Sequence, residues 1–196
     1  IDGDTHGGFT HKAADGYVAM EAEHYFSKAD AGEAEWTVIP YMGRTLSGIS
    51  LQPYTKPVDG ASLTYRFTAP QQAGNGASSV KVHIVVKSTL DYLDKGGLTY
   101  SVALDGGEPQ TVNFNHNLNE ENGNTYTVYY PTVARRVVES TVTLPFNGGH
   151  DGIHELTVTP NDPGIVFEKI VVDMGGYKPS YLFMEASEKE RTKPGK

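Results

Sequence analysis

A chain of 196 residues with a formal net charge of -8 and no cysteine excludes several chemistries at once. It offers no thiolate nucleophile, no Cys-ligated zinc and no disulfide framework, and no Lys/Arg run supplies the counterion release of a nucleic-acid binder or a basic face for a membrane. That charge balance leaves neutral or sparsely charged partners as the expectation, and no apolar stretch approaches the roughly 20 residues of a membrane-spanning helix. The length suits a single all-β domain with tails.

Residues 1–16, IDGDTHGGFTHKAADG, have no hydrophobic period and are expected to form a linker or draped arm. The chain opens on Ile1 without an initiator Met and is expected to be an excised or processed piece. Strand-like runs follow from Tyr17: YVAMEAEHY (17–25), EWTVI (35–39), and SLTYRFTA (62–69), in which Leu63, Tyr65 and Phe67 alternate with Thr64, Arg66 and Thr68. VKVHIVVKS (80–88) continues the series, and LTYSVALDGG (98–107) ends in a turn that makes QTVNFN (110–115) its hairpin partner. VESTVTLP (138–145), IHELTVTP (153–160) and IVFEKIVVDMGG (165–176) complete it. No amphipathic run of helix length separates them, which predicts a β-sandwich of jelly-roll type over residues 17–187. The closing KPSYLFMEASEKERTKPGK is expected to pack back on a sheet at first and to become a charged, disordered tail over 188–196.

Glu21 and Glu23 lie two positions apart in the apolar run VAMEAEHY. On a strand this puts both on one face, with their carboxylates roughly 7 Å apart. Three readings stand: solvated or hydrogen-bonded strand residues, two ligands of a structural Ca²⁺ completed by Asp173 if the first and last strands are neighbours, or an acid/base pair. The third is disfavoured because glycosidases draw their two carboxylates from separate elements across a cleft.

In GGHDGIHEL, the spacing of His150 and His154 would suit zinc on a helix. The two glycines argue for a turn into a strand, with His154 a buried, satisfied histidine. His24 and His83 have the same bland reading, while His6, His11 and His116 are expected in loops or tails. No G-x-S-x-G elbow or phosphate-cradling loop before a helix is present. Aromatic residues in or beside loops are therefore the remaining signal, since a sugar ring stacks its C–H face on Trp or Tyr. Trp36, Tyr92, Tyr126 and Tyr129 are the candidate carbohydrate contacts, with core packing as the competing reading, strongest for Trp36 inside a strand pattern.

The runs VAMEAEHY, WTVIPYMGRTLSGIS, GLTYSVALDGGEPQTVNFN and GIHELTVTPNDPGIVFEKIVVDMGGYKPSYL together resemble the C-terminal β-sandwich domain of glycoside hydrolase family 115. IPYMGRTLSG, DPGIVFEKIVVD and GGYKPSYL are the most specific segments. The chain departs from that family's pattern at PYTKPVDGASL and at FMEAS. The resemblance implies a non-catalytic accessory domain of a secreted or periplasmic xylan α-glucuronidase, whose catalytic carboxylates belong to a preceding region absent from this chain. It also implies similarity in build to family 6 and family 35 carbohydrate-binding modules, in which a Glu-x-Glu strand and a late Asp hold a structural Ca²⁺. Carried onto this sequence, those ligands are Glu21, Glu23 and Asp173. The implied partners are a plant polysaccharide of xylan type, the catalytic domain of the parent enzyme, or a second copy in a homodimer of that parent. A purely structural or dimerisation domain and a glycan hydrolase in its own right are the alternatives.

Overall fold

In a computed structural model, the described residues are 6–69, 79–116, 135–146, 152–180 and 182–192. Their strands are β1 (Phe9–Lys12), β2 (Tyr17–Glu21), β3 (Ser27–Ala29), β4 (Glu35–Ile39), β5 (Gly48–Gln52), β6 (Ser62–Thr68), β7 (Ser79–Lys87), β8 (Thr99–Leu104), β9 (Gln110–Asn113), β10 (Val137–Pro145), β11 (Ile153–Pro160), β12 (Phe167–Asp173) and β13 (Lys189–Arg191).

They form two sheets. One runs β13-β1-β6-β11-β8-β9, with β3 also on β6; the other runs β10-β7-β12-β5-β4, with β2 also on β12. β2 and β5 share one edge of β12 end to end: Phe167 faces Ile49, while Lys169–Asp173 face Glu21–Tyr17. The β8–β9 hairpin predicted from its turn forms, with Asp105 and Gly106 both left-handed at the centre of a turn closed by the Gly107 N–H on the Leu104 carbonyl, inside a connection of residues 105–109.

Period two explains the core. In β6 the buried residues are Leu63, Tyr65 and Phe67, and in β11 His154, Leu156 and Val158, so each strand gives one face to the interior and one to solvent. Val80, Val82, Ile84 and Val86 of β7 and Phe167, Ile170 and Val172 of β12 meet them from the other sheet. Each such side chain contributes roughly 1.5–3 kcal/mol through burial. The β-sandwich expected from the strand series is the fold observed.

The outer face of the six-stranded sheet is not left to solvent. The tail that follows Tyr177 crosses it, as the Pro-containing segment predicted. The Tyr177 ring lies 4.2 Å from that of His83, Phe183 packs with Val85 and Val137, and Ser187 bonds to the backbone of Ala19 through both its N–H (2.9 Å) and its Oγ (3.0 Å).

Within the expected linker or arm (1–16) and tail (188–196), residues 9–12 and 189–191 are strands. Residues 9–12 form β1, parallel to the Arg66–Thr68 end of β6, and Lys189–Arg191 pair with β1 as an outermost strand. The physical reason is an open edge: β3 covers only Ser62–Thr64 of β6, and the unpaired N–H and C=O groups beyond it accept a further strand. This addition buries His11, which sequence position alone assigns to an arm.

Burial holds the pKa of His11 down to about 4, and partial burial beside the Lys189 ammonium holds that of His24 to about 4 as well. The unfolded chain therefore takes up these protons first as the pH falls, so stability present above the ordinary value near 6.5 is lost towards pH 4. A shift of this size is worth on the order of 3 kcal/mol for His11. Urea unfolding followed near neutrality and near pH 4 is expected to show a lower midpoint in acid, with a smaller difference in a His11→Gln variant.

Candidate functional site

Strand pairing brings the first and last long strands together, as the Ca²⁺ reading required, but in a register that separates its three acids. Glu21 faces Lys169, and Asp173 faces Tyr17, about 13 Å further along at a strand's rise per residue. Asp173 instead caps the following turn, accepting from the N–H groups of Gly175 (2.7 Å) and Tyr177 (3.0 Å). β2 ends at Glu21, and a turn closed by the His24 N–H on the Glu21 carbonyl takes Glu23 off the strand. There the Glu23 carboxylate lies 3.9 Å from a His6 nitrogen and 3.7 Å from a His24 nitrogen.

Glu21 itself is 3% exposed and engaged on both oxygens. One lies 3.0 Å from the Lys169 ammonium, and the other accepts the Thr45 hydroxyl at 2.6 Å. A cation held jointly by Glu21, Glu23 and Asp173 does not fit this donor set. Of the readings open in the sequence, a hydrogen-bonded strand residue is what Glu21 is, and both glutamates are buried.

A register shift between Phe167 and Lys169 makes Glu168 the extra residue of a bulge. Phe167 remains in the core, and Glu168 lines a cavity of about 630 Å³ with Pro40, Tyr41, Arg44, Lys87, Arg135 and Arg136. The Glu168 carboxyl is 3% exposed; one oxygen accepts the Arg44 N–H at 3.3 Å, and the other has no hydrogen bond among the described residues. Burial pushes its pKa upward against the neighbouring Lys87 and Arg44 charges. Four cationic side chains and one carboxyl thus gather in a chain whose overall charge is -8.

The cavity is organised. The Arg44 guanidinium donates to the Arg135 carbonyl at 2.6 Å and sits 5.5 Å from the Phe183 ring centre, which ties the wall to the tail. Tyr41, at φ 59°, is 95% exposed on the rim, a conformation a tyrosine rarely adopts. Such a site can bind a carboxylate by charge-assisted hydrogen bonds and present an aromatic face beside it.

Sequence reasoning missed this group. MGR, the Arg135–Arg136 pair and the Glu in VFEK are visible in the sequence, but nothing local says that residues 40–44, 87, 135–136 and 168 converge.

Of the aromatic candidates, Trp36 is a core residue rather than a sugar platform. It is 6% exposed, its ring centre lies 6.1 Å from that of Phe167, and its indole N–H donates to the Ala29 carbonyl at 2.8 Å. The reason is face: Trp36 pairs with buried Leu51, whereas Glu35 and Thr37 point outward. Tyr92 is half-exposed and meets Tyr54 edge-on at 6.4 Å. Its hydroxyl is 3.2 Å from the carbonyls of both Tyr54 and Pro163. Its ring covers Gly164, left-handed at φ 84°, where a Cβ would come within 2.9 Å of Tyr92 Cε1. The loop carrying Tyr92 is pinned by Asp91, which accepts from the Gly97 N–H (2.6 Å), and by an ion pair of Lys95 with the buried Asp162. Tyr126 and Tyr129 lie outside the described residues.

His154 and His83 are packed and hydrogen-bonded within the sandwich. His154 is buried against Asp105 Oδ2 at 2.8 Å and stacks between Phe67 and Phe146. His83 meets Thr141 Oγ1 at 3.0 Å and Glu139 at 3.2 Å. His150 lies outside the described residues.

Two packed sheets with a tail across one of them define a β-sandwich. The model of the glycosyl hydrolase family 115 C-terminal domain matches residues 10–186, and the chain belongs to that family. No curated protein matches it. Among solved structures it is similar to a GH115 4-O-methyl-α-glucuronidase, BtGH115A, with specificity for decorated arabinogalactans: TM-score 0.53 and 20% identity, over 76% of this chain and 17% of that one. It is also similar to a family 35 carbohydrate-binding module from Clostridium thermocellum: TM-score 0.50 and 12% identity, over 79% of this chain and 97% of that one. At these identities the likenesses establish the fold, and this chain spans only a small part of the enzyme.

The placement of the aromatics has a measurable consequence. Trp36→Ala is expected to cost about 3–5 kcal/mol of stability, the range for emptying a buried aromatic site. Tyr54→Ala, at a half-exposed position, is expected to cost far less. Urea unfolding of the two variants against the wild type provides the comparison.

Proposed function

We propose that this chain is a non-catalytic accessory domain of a secreted or periplasmic xylan α-glucuronidase, and that it binds plant cell-wall glycan carrying glucuronic acid. The observation that carries this reading is the cavity between residues 40–44, Lys87, Arg135–Arg136 and Glu168. It concentrates positive charge on an otherwise acidic chain, and a xylan backbone is neutral except at its uronate side groups. Arg44, Lys87 and Arg136 are the candidate partners of a uronate carboxylate, the Tyr41 ring offers an apolar face to the pyranose, and Glu168 accepts a sugar hydroxyl. Hydrogen bonds to charged groups are each worth roughly 1.5–3 kcal/mol, so a few suffice for a modest affinity. No hydrolytic role is assigned to the chain.

The Leu90, Tyr92, Leu93 and Tyr54 side chains are all exposed, and this apolar group favours a second role, packing against the remainder of the parent enzyme.

Calorimetric titration with glucuronoxylan oligosaccharides is expected to show binding that weakens with added salt, while the same oligosaccharides stripped of uronate bind much less. Lys87→Ala and Arg136→Ala are each expected to lower the affinity by about tenfold or more, with unfolding midpoints near wild type. Equal affinity for charged and neutral oligosaccharides would refute the pocket assignment. Absence of binding to both would leave packing on the parent enzyme as the function, detectable as association of this domain with the separated catalytic region.

A further inference from the structure

We propose that the Lys169 ammonium is the structural cation of this domain: it organises the buried Glu21 carboxylate and the chain segments around it, in place of a divalent metal ion.

Three features of the Lys169 environment support this. First, its shell is built of oxygen. Nζ lies 3.0 Å from Glu21 Oε1, 2.6 Å from the Met184 carbonyl and 3.4 Å from that of Leu182. Three acceptors match the three N–H donors of an ammonium, whereas Ca²⁺ takes six to eight oxygens. Lys169 is 2% exposed and Glu21 3%, and both Glu21 oxygens are engaged, so a second cation on the same carboxylate would compete with its present partners.

Second, the backbone is shaped to deliver that shell. Phe183 and Met184 are successive non-glycine residues in the left-handed region, at φ 55° and 70°. Such conformations persist where the surroundings over-determine them. Here they accompany the presentation of the Leu182 and Met184 carbonyls to one ammonium, and they are held from behind by Ser180, whose Oγ accepts the Met184 N–H at 3.1 Å.

Third, the pair gathers segments distant in sequence. Glu21 closes β2, Lys169 belongs to β12, residues 182–184 belong to the tail, and Thr45, which donates to the second Glu21 oxygen, belongs to the 40–47 loop. The neighbouring Arg44 N–H is fixed by Glu168. One wall of the basic cavity therefore hangs from the Glu21 and Glu168 carboxylates, and Lys169 acts on it as a positioning residue.

Thermal unfolding of the whole chain tests the proposal. The change in melting temperature between excess EDTA and millimolar CaCl₂ is expected to be the same in the wild type and in Glu21→Gln. A rise of several degrees with Ca²⁺ in the wild type that disappears in Glu21→Gln would overturn the proposal. Lys169→Met is expected to lower the melting temperature by roughly 10 °C, as removal of one partner from a buried pair does, and to speed amide exchange in residues 182–187. Glu21→Gln combined with Lys169→Met is expected to recover a large part of that loss. Wild-type stability and exchange in Lys169→Met would also overturn the proposal. Should Lys169→Met fail to fold, the calcium comparison between the wild type and Glu21→Gln decides alone.

Discussion

The antiparallel pairing of Tyr17–Glu21 with Lys169–Asp173 is the constraint from which the rest of the molecule follows. It joins strands nearly 150 residues apart in the chain, completes one edge of the sheet whose centre is β7 and β12, and fixes which outward side chain meets which. With side chains alternating every residue, a slip of one position would turn Lys169 towards the core and Ile170 out of it. The buried Ile170 and Val172 leave one register, and in it the ammonium of Lys169 faces the carboxylate of Glu21. A buried charge pair of this kind adds little net stability over apolar residues, but it is costly to break. It thereby selects one arrangement of the tail above it.

The bulge at Glu168 is the second determinant. Counted back from the buried Ile170, a regular strand would send Glu168 into the sandwich, where a carboxyl has no partner, and turn Phe167 out of it. The extra residue lets Phe167 stay in the core while both Glu168 and Lys169 serve the other face. Two adjacent residues then divide the work: Lys169 anchors the tail, and Glu168 lines the basic cavity. The tail completes both, since Phe183 covers Val85 and Val137 and also carries the Arg44 guanidinium over its ring. Scaffold and candidate site thus share one layer of side chains.

Much of the fold was legible because it rests on local chemistry. Alternation in SLTYRFT and IHELTVTP, the DGG turn before QTVNFN and the absence of any helical period point to a sandwich without long-range information. Trp36 shows where such legibility stops: the alternation in EWTVI marks one face as inward, yet an aromatic on either face looks the same in the sequence. His11 and Lys189–Arg191 show a different limit. Short segments become strands because β6 leaves part of an edge unpaired, and an open edge is a property of the assembled sheet rather than of the residues that fill it.

The candidate site was legible only as fragments. The sequence by itself determined strands β2, β4 and β6 to β12, the two-sheet class, the residues available for the core and the resemblance to a glycoside hydrolase C-terminal domain, because each of these is written in period, turn chemistry or extended motif. Tertiary structure alone decided that Glu21 answers to Lys169 rather than joining Asp173, that Glu23 leaves the strand, and that Arg44, Lys87, Arg136 and Glu168 face one cavity. The physical reason is register: side chains meet across strands according to pairing and bulges set by the packing of the entire core, and charge chemistry at a site depends on which groups meet rather than on which are present.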